Sequence, residues 1–263
     1  MGDSLEGIRA ERRAVGPLDG TTIPTEPDCA DCRDRGWYTL DVPVGDPRFG
    51  KTVRCECQPA ISPDRLMAFT ELTPGMRRLT FDALGPPRVR DQTDVAKWNT
   101  VLAHTKAYAR GQASVPWLVF AGSLGWGKTH LAVAVLNWRI DHPEAGPPGK
   151  YVNCPDLLGS LRNSIDEGDF EATLGLYREA PLLVLDDLGA EYQRRRPGDE
   201  VTWADEQIYR VMDHRYREVL PTVVTTNTAL DRVAPRLRDR LRDKAIVDTH
   251  GLELPSYRTG EVL

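Results

Sequence analysis

The chain has 263 residues, enough for one substantial α/β domain and a small appendage. Its formal net charge of -5 excludes a polycation built to coat nucleic acid, so any such contact must rest on a local basic patch. No apolar run approaches the roughly 18 residues of a membrane span, and the opening MGDSLEGIRAERRAVG lacks the apolar stretch of a signal peptide, so a cytoplasmic protein without membrane contact is expected.

Residues 1–28 are polar and punctuated by Pro and Gly, and are expected to form a flexible lead. Residues 29–60 hold Cys29-x2-Cys32 and Cys55-x-Cys57, two thiol pairs separated by 22 residues. Clustered thiols in a reducing compartment point to metal. Four soft ligands from two turns suit tetrahedral Zn2+, and a closed set of four cysteines is structural rather than catalytic. So small a segment has little apolar surface, so metal binding would supply its stability. Between the turns, 36–40 and 51–54 are expected to pair as a hairpin. Cys154, far away and beside an apolar run, reads as a core residue. The five histidines show no ligand spacing in the sequence.

Residues 61–91 read as a linker with a short helix, 63–72, after which Pro74, Gly75, Pro86 and Pro87 break the chain repeatedly. From residue 92 to 263 helical and strand patterns alternate. An amphipathic helix is predicted over 94–110, with Val95, Trp98, Leu102 and Thr105 on one face. WLVFA at 117–121 is a wholly apolar strand, and 128–140 a helix apolar almost all round and therefore buried. Further strands are predicted at 150–153, 182–186, 222–226 and 245–248. Apolar strands alternating with helices predict an α/β fold, a parallel five-stranded sheet covered on both faces.

The segment Gly122-Ser123-Leu124-Gly125-Trp126-Gly127-Lys128-Thr129 satisfies GxxxxGK[ST], follows an apolar strand and opens a helix, which is the context a phosphate-binding P-loop requires. Gly122, Gly125 and Gly127 can take positive φ and turn backbone N–H groups inward around a phosphate. The helix adds its positive dipole end. Lys128 would reach the β- and γ-phosphates of ATP and the Thr129 hydroxyl would ligate Mg2+. Trp126 sits where its side chain must point away from the phosphates.

The run Pro181-Leu-Leu-Val-Leu-Asp186-Asp187 places two carboxylates at the tip of an apolar strand. Asp186 would hold Mg2+, and Asp187 would orient or deprotonate an attacking water. An aspartate is one methylene shorter than the glutamate common in such ATPases, so slow hydrolysis is expected, suited to a timing switch.

These segments resemble the DnaC/DnaI-type helicase loaders of the AAA+ class, with the IstB transposition ATPases close behind. LTFDAL at 79–84, the P-loop, LLVLDDLGAE, Trp203, the HRY at 214–216, PTVVTTN, APRLRDRLRD and PSYR at 255–258 occur in the family's order. The resemblance implies that Asn227 aligns water and γ-phosphate, that Arg240 is an arginine finger acting on ATP of an adjacent subunit, and that Arg258 is a second sensor. A guanidinium suits the finger role because it stays charged and bridges phosphate oxygens bidentately. A finger supplied in trans implies self-association through the ATPase domain and a nearly inactive monomer.

For the N-terminal cysteine module the resemblance implies a grip on a hexameric replicative helicase, and for the whole chain an ATP-dependent loader that places such a ring on single-stranded DNA. The local candidate for that strand is Tyr192 with Arg194, Arg195 and Arg196, cations beside an aromatic. Two other readings stay open: an IstB-like helper of a DNA transposase acting on duplex DNA, and a nucleotide-gated adaptor with negligible turnover.

Overall fold

The structure, a computed structural model, describes residues 12–14, 29, 31–32, 37–44, 46, 48–49, 52–56, 63–85, 91–189, 202–257 and 259. Five parallel strands form the central sheet: β4 (Trp117–Gly122), β5 (Lys150–Asn153), β6 (Leu183–Asp186), β7 (Thr222–Thr225) and β8 (Val247–Leu252). Their spatial order is β5-β6-β7-β4-β8, so the P-loop strand β4 and the aspartate strand β6 flank β7. Helices α2 (Gln92–Ala109) and α3 (Lys128–Asp141) cover one face. The other is covered by α4 (Cys154–Glu167), α5 (Phe170–Arg178), α6 (Trp203–Arg217) and α7 (Pro235–Leu241).

The continuous apolar runs follow directly from this layering. Trp117 and Val119 of β4 enter the core beneath α4–α7, while Leu118 and Phe120 enter the core beneath α2 and α3. In β6 Leu183 and Leu185 share the first core and Val184 the second. Side chains that alternate between two dry faces must all be apolar. Cys154 lies fully buried at the start of α4, as a core residue should.

Two elements differ from the sequence pattern. The buried face of α2 runs through Asp94, Trp98, Val101, Thr105 and Tyr108, so Val95 and Leu102 sit at its margins. Thr105 occupies a core position because its hydroxyl donates to the Val101 carbonyl at 2.7 Å, which removes the cost of burying it. Strand β8 begins two residues later than 245 and runs on through Asp-Thr-His-Gly to Leu252. Among the described residues it is an edge strand paired with β4 alone, from Trp117↔Val247 to Gly122↔Leu252, and it carries polar side chains that an apolar-run criterion rejects.

In the N-terminal part, β2 (Trp37–Leu40) pairs antiparallel with β3 (Thr52–Arg54), in the expected hairpin. Within the stretch expected to be a flexible lead, β1 (Arg12–Ala14) adds a third strand along β2. Val42 and Phe49 join the core beneath α4–α7, and Trp37 packs on Leu220. The hairpin therefore sits beside Pro116 and Pro221, at the N-terminal ends of β4 and β7 and opposite the P-loop.

The stretch 63–85, whose breakers suggest a linker, is tied to the ATPase body. Helix α1 (Pro63–Thr70) is followed by a short turn of helix in which Arg77 donates to Asn137 at 2.6 Å and to Asp141 at 2.9 Å. Asn137 returns two bonds of 2.9 Å to the carbonyls of Met76 and Leu79. Among the described residues no helix is long and apolar enough to cross a membrane.

Candidate nucleotide site

The C-terminal ends of β4, β6 and β7 open onto a cavity of about 540 Å³, lined by the P-loop, Asp186, Asp187, Thr225, Asn227 and the wall formed by Leu79, Leu84, Gly85 and Tyr257. Carboxyl ends of parallel strands are where ligands of open α/β sheets bind. The three P-loop glycines have φ of 119° at Gly122, 82° at Gly125 and 108° at Gly127, as a loop turning its amides inward requires. Helix α3 begins at Gly127 without a side-chain cap.

Gly122 and Gly125 have a second reason to be glycine. A Cβ would fall 2.0 Å from the Leu252 carbonyl oxygen at 122, and 2.1 Å from Ser256 Oγ at 125. The segment after β8 thus packs directly behind the loop. Ser123 Oγ donates to the Leu254 carbonyl at 3.2 Å, and the Tyr257 amide to the Gly125 carbonyl at 2.9 Å. Trp126 anchors the loop from within: it is fully buried, edge-on to Phe120 and Trp98, so its side chain does leave the phosphate side. Leu124 stands half exposed at the tip.

Lys128 is 5% exposed, and its ammonium donates to the carbonyls of Gly122 at 3.0 Å and Ser123 at 2.5 Å. Burial pushes its pKa down to about 8, against the pull of the Asp186 and Asp187 carboxylates.

Asp186 is buried among three hydroxyl donors. Thr129 Oγ1 lies 2.9 and 3.1 Å from its two oxygens, Thr225 Oγ1 2.5 Å from Oδ1, and the Tyr151 hydroxyl 2.9 Å from Oδ2. Burial and the adjacent Asp186 carboxylate raise the Tyr151 pKa, so the phenol stays protonated as a donor. Thr129 and Asp186 thereby bring a hydroxyl and a carboxylate side by side at the end of the P-loop, the hard oxygen donors that suit Mg2+.

Asp187 leaves the strand through a left-handed turn, φ 56°, a region Asp tolerates better than most side chains. Its amide donates to Thr225 Oγ1 at 2.9 Å, and its carboxylate accepts from Asn227 Nδ2 at 2.7 Å. Asp187 and Asn227, both marked in the sequence, thus lie against one another in the cavity. Thr225 and Tyr151 carry no such mark. Each sits within a strand recognised only by its apolar neighbours, and only the pairing of β6 with β5 and β7 carries them to Asp186.

Arg240 does not line this cavity. Its guanidinium is held within the chain by Asp213 and by the Tyr209 hydroxyl at 2.9 Å, over the rings of Tyr209 and Tyr216. Arg258, the cluster Tyr192 with Arg194–Arg196, and Cys57 lie outside the described residues.

The other three thiols of the N-terminal module come together, Cys29, Cys32 and Cys55 all within 4.8 Å of one another. Cys29 Sγ and Cys55 Sγ are 3.7 Å apart. Two sulfurs bound tetrahedrally at the Zn–S distance of about 2.3 Å would be separated by about 3.8 Å, so the spacing fits a thiolate zinc site.

The parallel sheet, the glycine-cradled lysine and the hydroxyl–carboxylate pair define a P-loop ATP-binding domain of the AAA+ class. Residues 103–252, more than half of the chain, match the family model described as IstB-like ATP binding protein, and the chain belongs to that family. It is 29% identical over 149 residues to the replicative helicase loader DnaI of Bacillus subtilis (strain 168), an alignment covering 55% of this chain and 43% of DnaI. It is 26% identical over 153 residues to the putative ATP-binding protein of insertion sequence IS5376 from Geobacillus stearothermophilus, covering 55% of this chain and 56% of that one. The matches thus span only about half the length of these relatives. A crystal structure of the DnaC helicase loader superposes with a TM-score of 0.54 at 24% identity, over 68% of this chain and 99% of that one, which establishes the shared fold.

Proposed function

We propose that the chain is an ATP-switched loader: the AAA+ domain binds and slowly hydrolyses ATP, and the N-terminal thiol module engages a hexameric replicative helicase and directs it to single-stranded DNA. The observation that carries this reading is the Cys29, Cys32 and Cys55 cluster, whose Cys55 directly follows the hairpin packed at the end of the sheet opposite the nucleotide cavity. A partner-binding module placed there leaves the nucleotide face free for a neighbouring subunit. The likeness to DnaI and the loader fold support it. With Cys57 as fourth ligand, Zn2+ would close the module.

Within the ATPase, Lys128 and the loop amides would hold the phosphates, and Thr129 and Asp186 would hold Mg2+, which when bound neutralises charge on the β- and γ-phosphates. Asp187 would accept a proton from the attacking water. Asn227, bonded to Asp187, would keep that carboxylate aimed and help to align the water with the γ-phosphate. Arg240 would act on the neighbour's nucleotide after exchanging its bond to Asp213 for phosphate oxygens, and Arg258 would complete the site. Asp187→Asn is expected to keep ATP affinity within about threefold while lowering turnover by about 10² to 10⁴. Equal turnover in the two proteins removes Asp187 from the mechanism.

Pull-down with a purified hexameric helicase tests the loader reading. Capture by the wild-type chain is expected, with loss when Cys29 and Cys32 are both replaced by Ser and ATP binding retained. Undiminished capture by that variant would exclude the module as the docking element. The insertion-sequence relative supports a second reading, a transposase helper, which predicts binding to duplex in preference to single-stranded DNA.

A further inference from the structure

We infer that His104, Asp248 and His250 form a second site for a transition-metal dication of the Zn2+ type, distinct from the thiol module and from the nucleotide cavity. Asp248 and His250 are two residues apart on β8, so the strand's period of two puts them on one face. Helix α2 brings His104 to the same point. His104 Nδ1 lies 2.9 Å and His250 Nε2 3.1 Å from the same oxygen, Asp248 Oδ2. The three ligand atoms all fall within 4.8 Å of one another.

Two imidazole nitrogens and one carboxylate oxygen are the donor set that Zn2+ accepts with a fourth position left open. Ligands at the usual Zn–N and Zn–O lengths of about 2.0–2.1 Å stand about 3.3–3.4 Å apart in a tetrahedron, a few tenths of an ångström wider than the spacing found here. The site is organised. The His250 side chain is only 9% exposed and its ring stacks on Phe120, with centroids 6.3 Å apart, while His104 meets it edge-on at 5.1 Å. On the other side His104 and Asp248 border a cavity of about 670 Å³, so a metal can enter and a water can complete its coordination. Arg242 and Lys244 on the cavity wall would favour an anionic fourth ligand.

Such a metal would clip α2 to β8. Strand β8 runs directly into the Leu252–Tyr257 segment that packs behind the P-loop glycines. Loading is therefore expected to stiffen the back of the nucleotide site.

The test uses the full chain stripped with a chelator and titrated with Co2+, then with Zn2+. Wild-type protein should take up one more equivalent of Co2+ than His104→Ala, and that equivalent should show weak visible ligand-field bands without thiolate charge transfer. The charge-transfer bands of the cysteine set should be equal in the two proteins. Zn2+ at about a hundredfold excess over its Kd should raise the Tm of the wild type by roughly 5–10 °C more than that of His104→Ala. His104 is half exposed, so this variant should fold, and Asp248→Asn provides an independent second case. Equal metal uptake and equal Tm shifts in wild type and His104→Ala would overturn the proposal and leave a hydrogen-bonded clip.

Discussion

Lys128→Ala is expected to weaken ATP binding at pH 7 by about 10² to 10⁴, because it would delete the two proposed charge-assisted bonds to the phosphates, each worth about 1.5–3 kcal/mol. Titration calorimetry with Mg-ATP measures it, with the Tm of each protein as the control for folding. The wild-type chain should also show a pH dependence that an exposed lysine would not. Burial holds the free Lys128 ammonium at a pKa of about 8, so it is charged below that pH and neutral above it. A triphosphate placed against it raises the pKa again, since nearby opposite charge favours the charged form. Above pH 8 binding must therefore take up a proton. Affinity is then greatest below pH 8 and falls as pH rises through it, by about tenfold at pH 9. Binding heats measured at pH 8.5 in two buffers should differ by their difference in ionisation enthalpy times an uptake of about three quarters of a proton. A flat affinity from pH 7 to 9 would show that the free Lys128 ammonium stays charged across that range, leaving Lys128→Ala to decide whether it meets the phosphates.

What can be read in the chain divides along physical lines. Strands β4, β6 and β7 are legible because both of their faces are largely dry, and so is the P-loop, because its glycine spacing and strand–helix context are local. Strand β8 has an edge position and a polar face toward α2, and it starts two residues after the point its apolar pattern marks. The partners of Asp186 are invisible in the sequence for a different reason. Tyr151 and Thr225 reach it only through strand pairing, over 35 and 39 residues of sequence. The same holds for His104 and Asp248, which stand 144 residues apart in the chain. Histidines without local ligand spacing can still converge, and no window on the sequence reports it. The wall of the nucleotide cavity at Leu79, Leu84 and Gly85 is hidden by its prolines and glycines, which read as a linker, although bonds from Arg77, Asn137 and His130 fasten that stretch to α3.

The HRY at 214–216 shows how a signature residue can serve the fold rather than the chemistry. Arg215 is fully buried, and its guanidinium donates to Tyr177 O at 3.1 Å, Arg178 O at 3.0 Å, Ala180 O at 2.8 Å, Pro221 O at 2.5 Å and Thr222 Oγ1 at 3.0 Å. Tyr177 and Arg178 end α5, where carbonyls have no partner within the helix and the dipole is negative. One cation thus caps α5 and fixes the chain entering β6 and β7. Burial pulls the Arg215 pKa down to about 9, which still leaves it charged at pH 7. Arg215→Ala strands these acceptors without water and is expected to cost about 3–5 kcal/mol, lowering Tm by roughly 10 °C or more. Arg215→Lys should recover only part of this, because an ammonium offers three donors in place of a planar fork of five. Both variants, assayed well below their Tm, should bind ATP within about threefold of wild type, because Arg215 lies at the N-terminal ends of β6 and β7, away from the P-loop. Thermal melts combined with calorimetry separate the two roles. A variant with unchanged Tm and lost ATP affinity would move Arg215 from the scaffold into the nucleotide machinery.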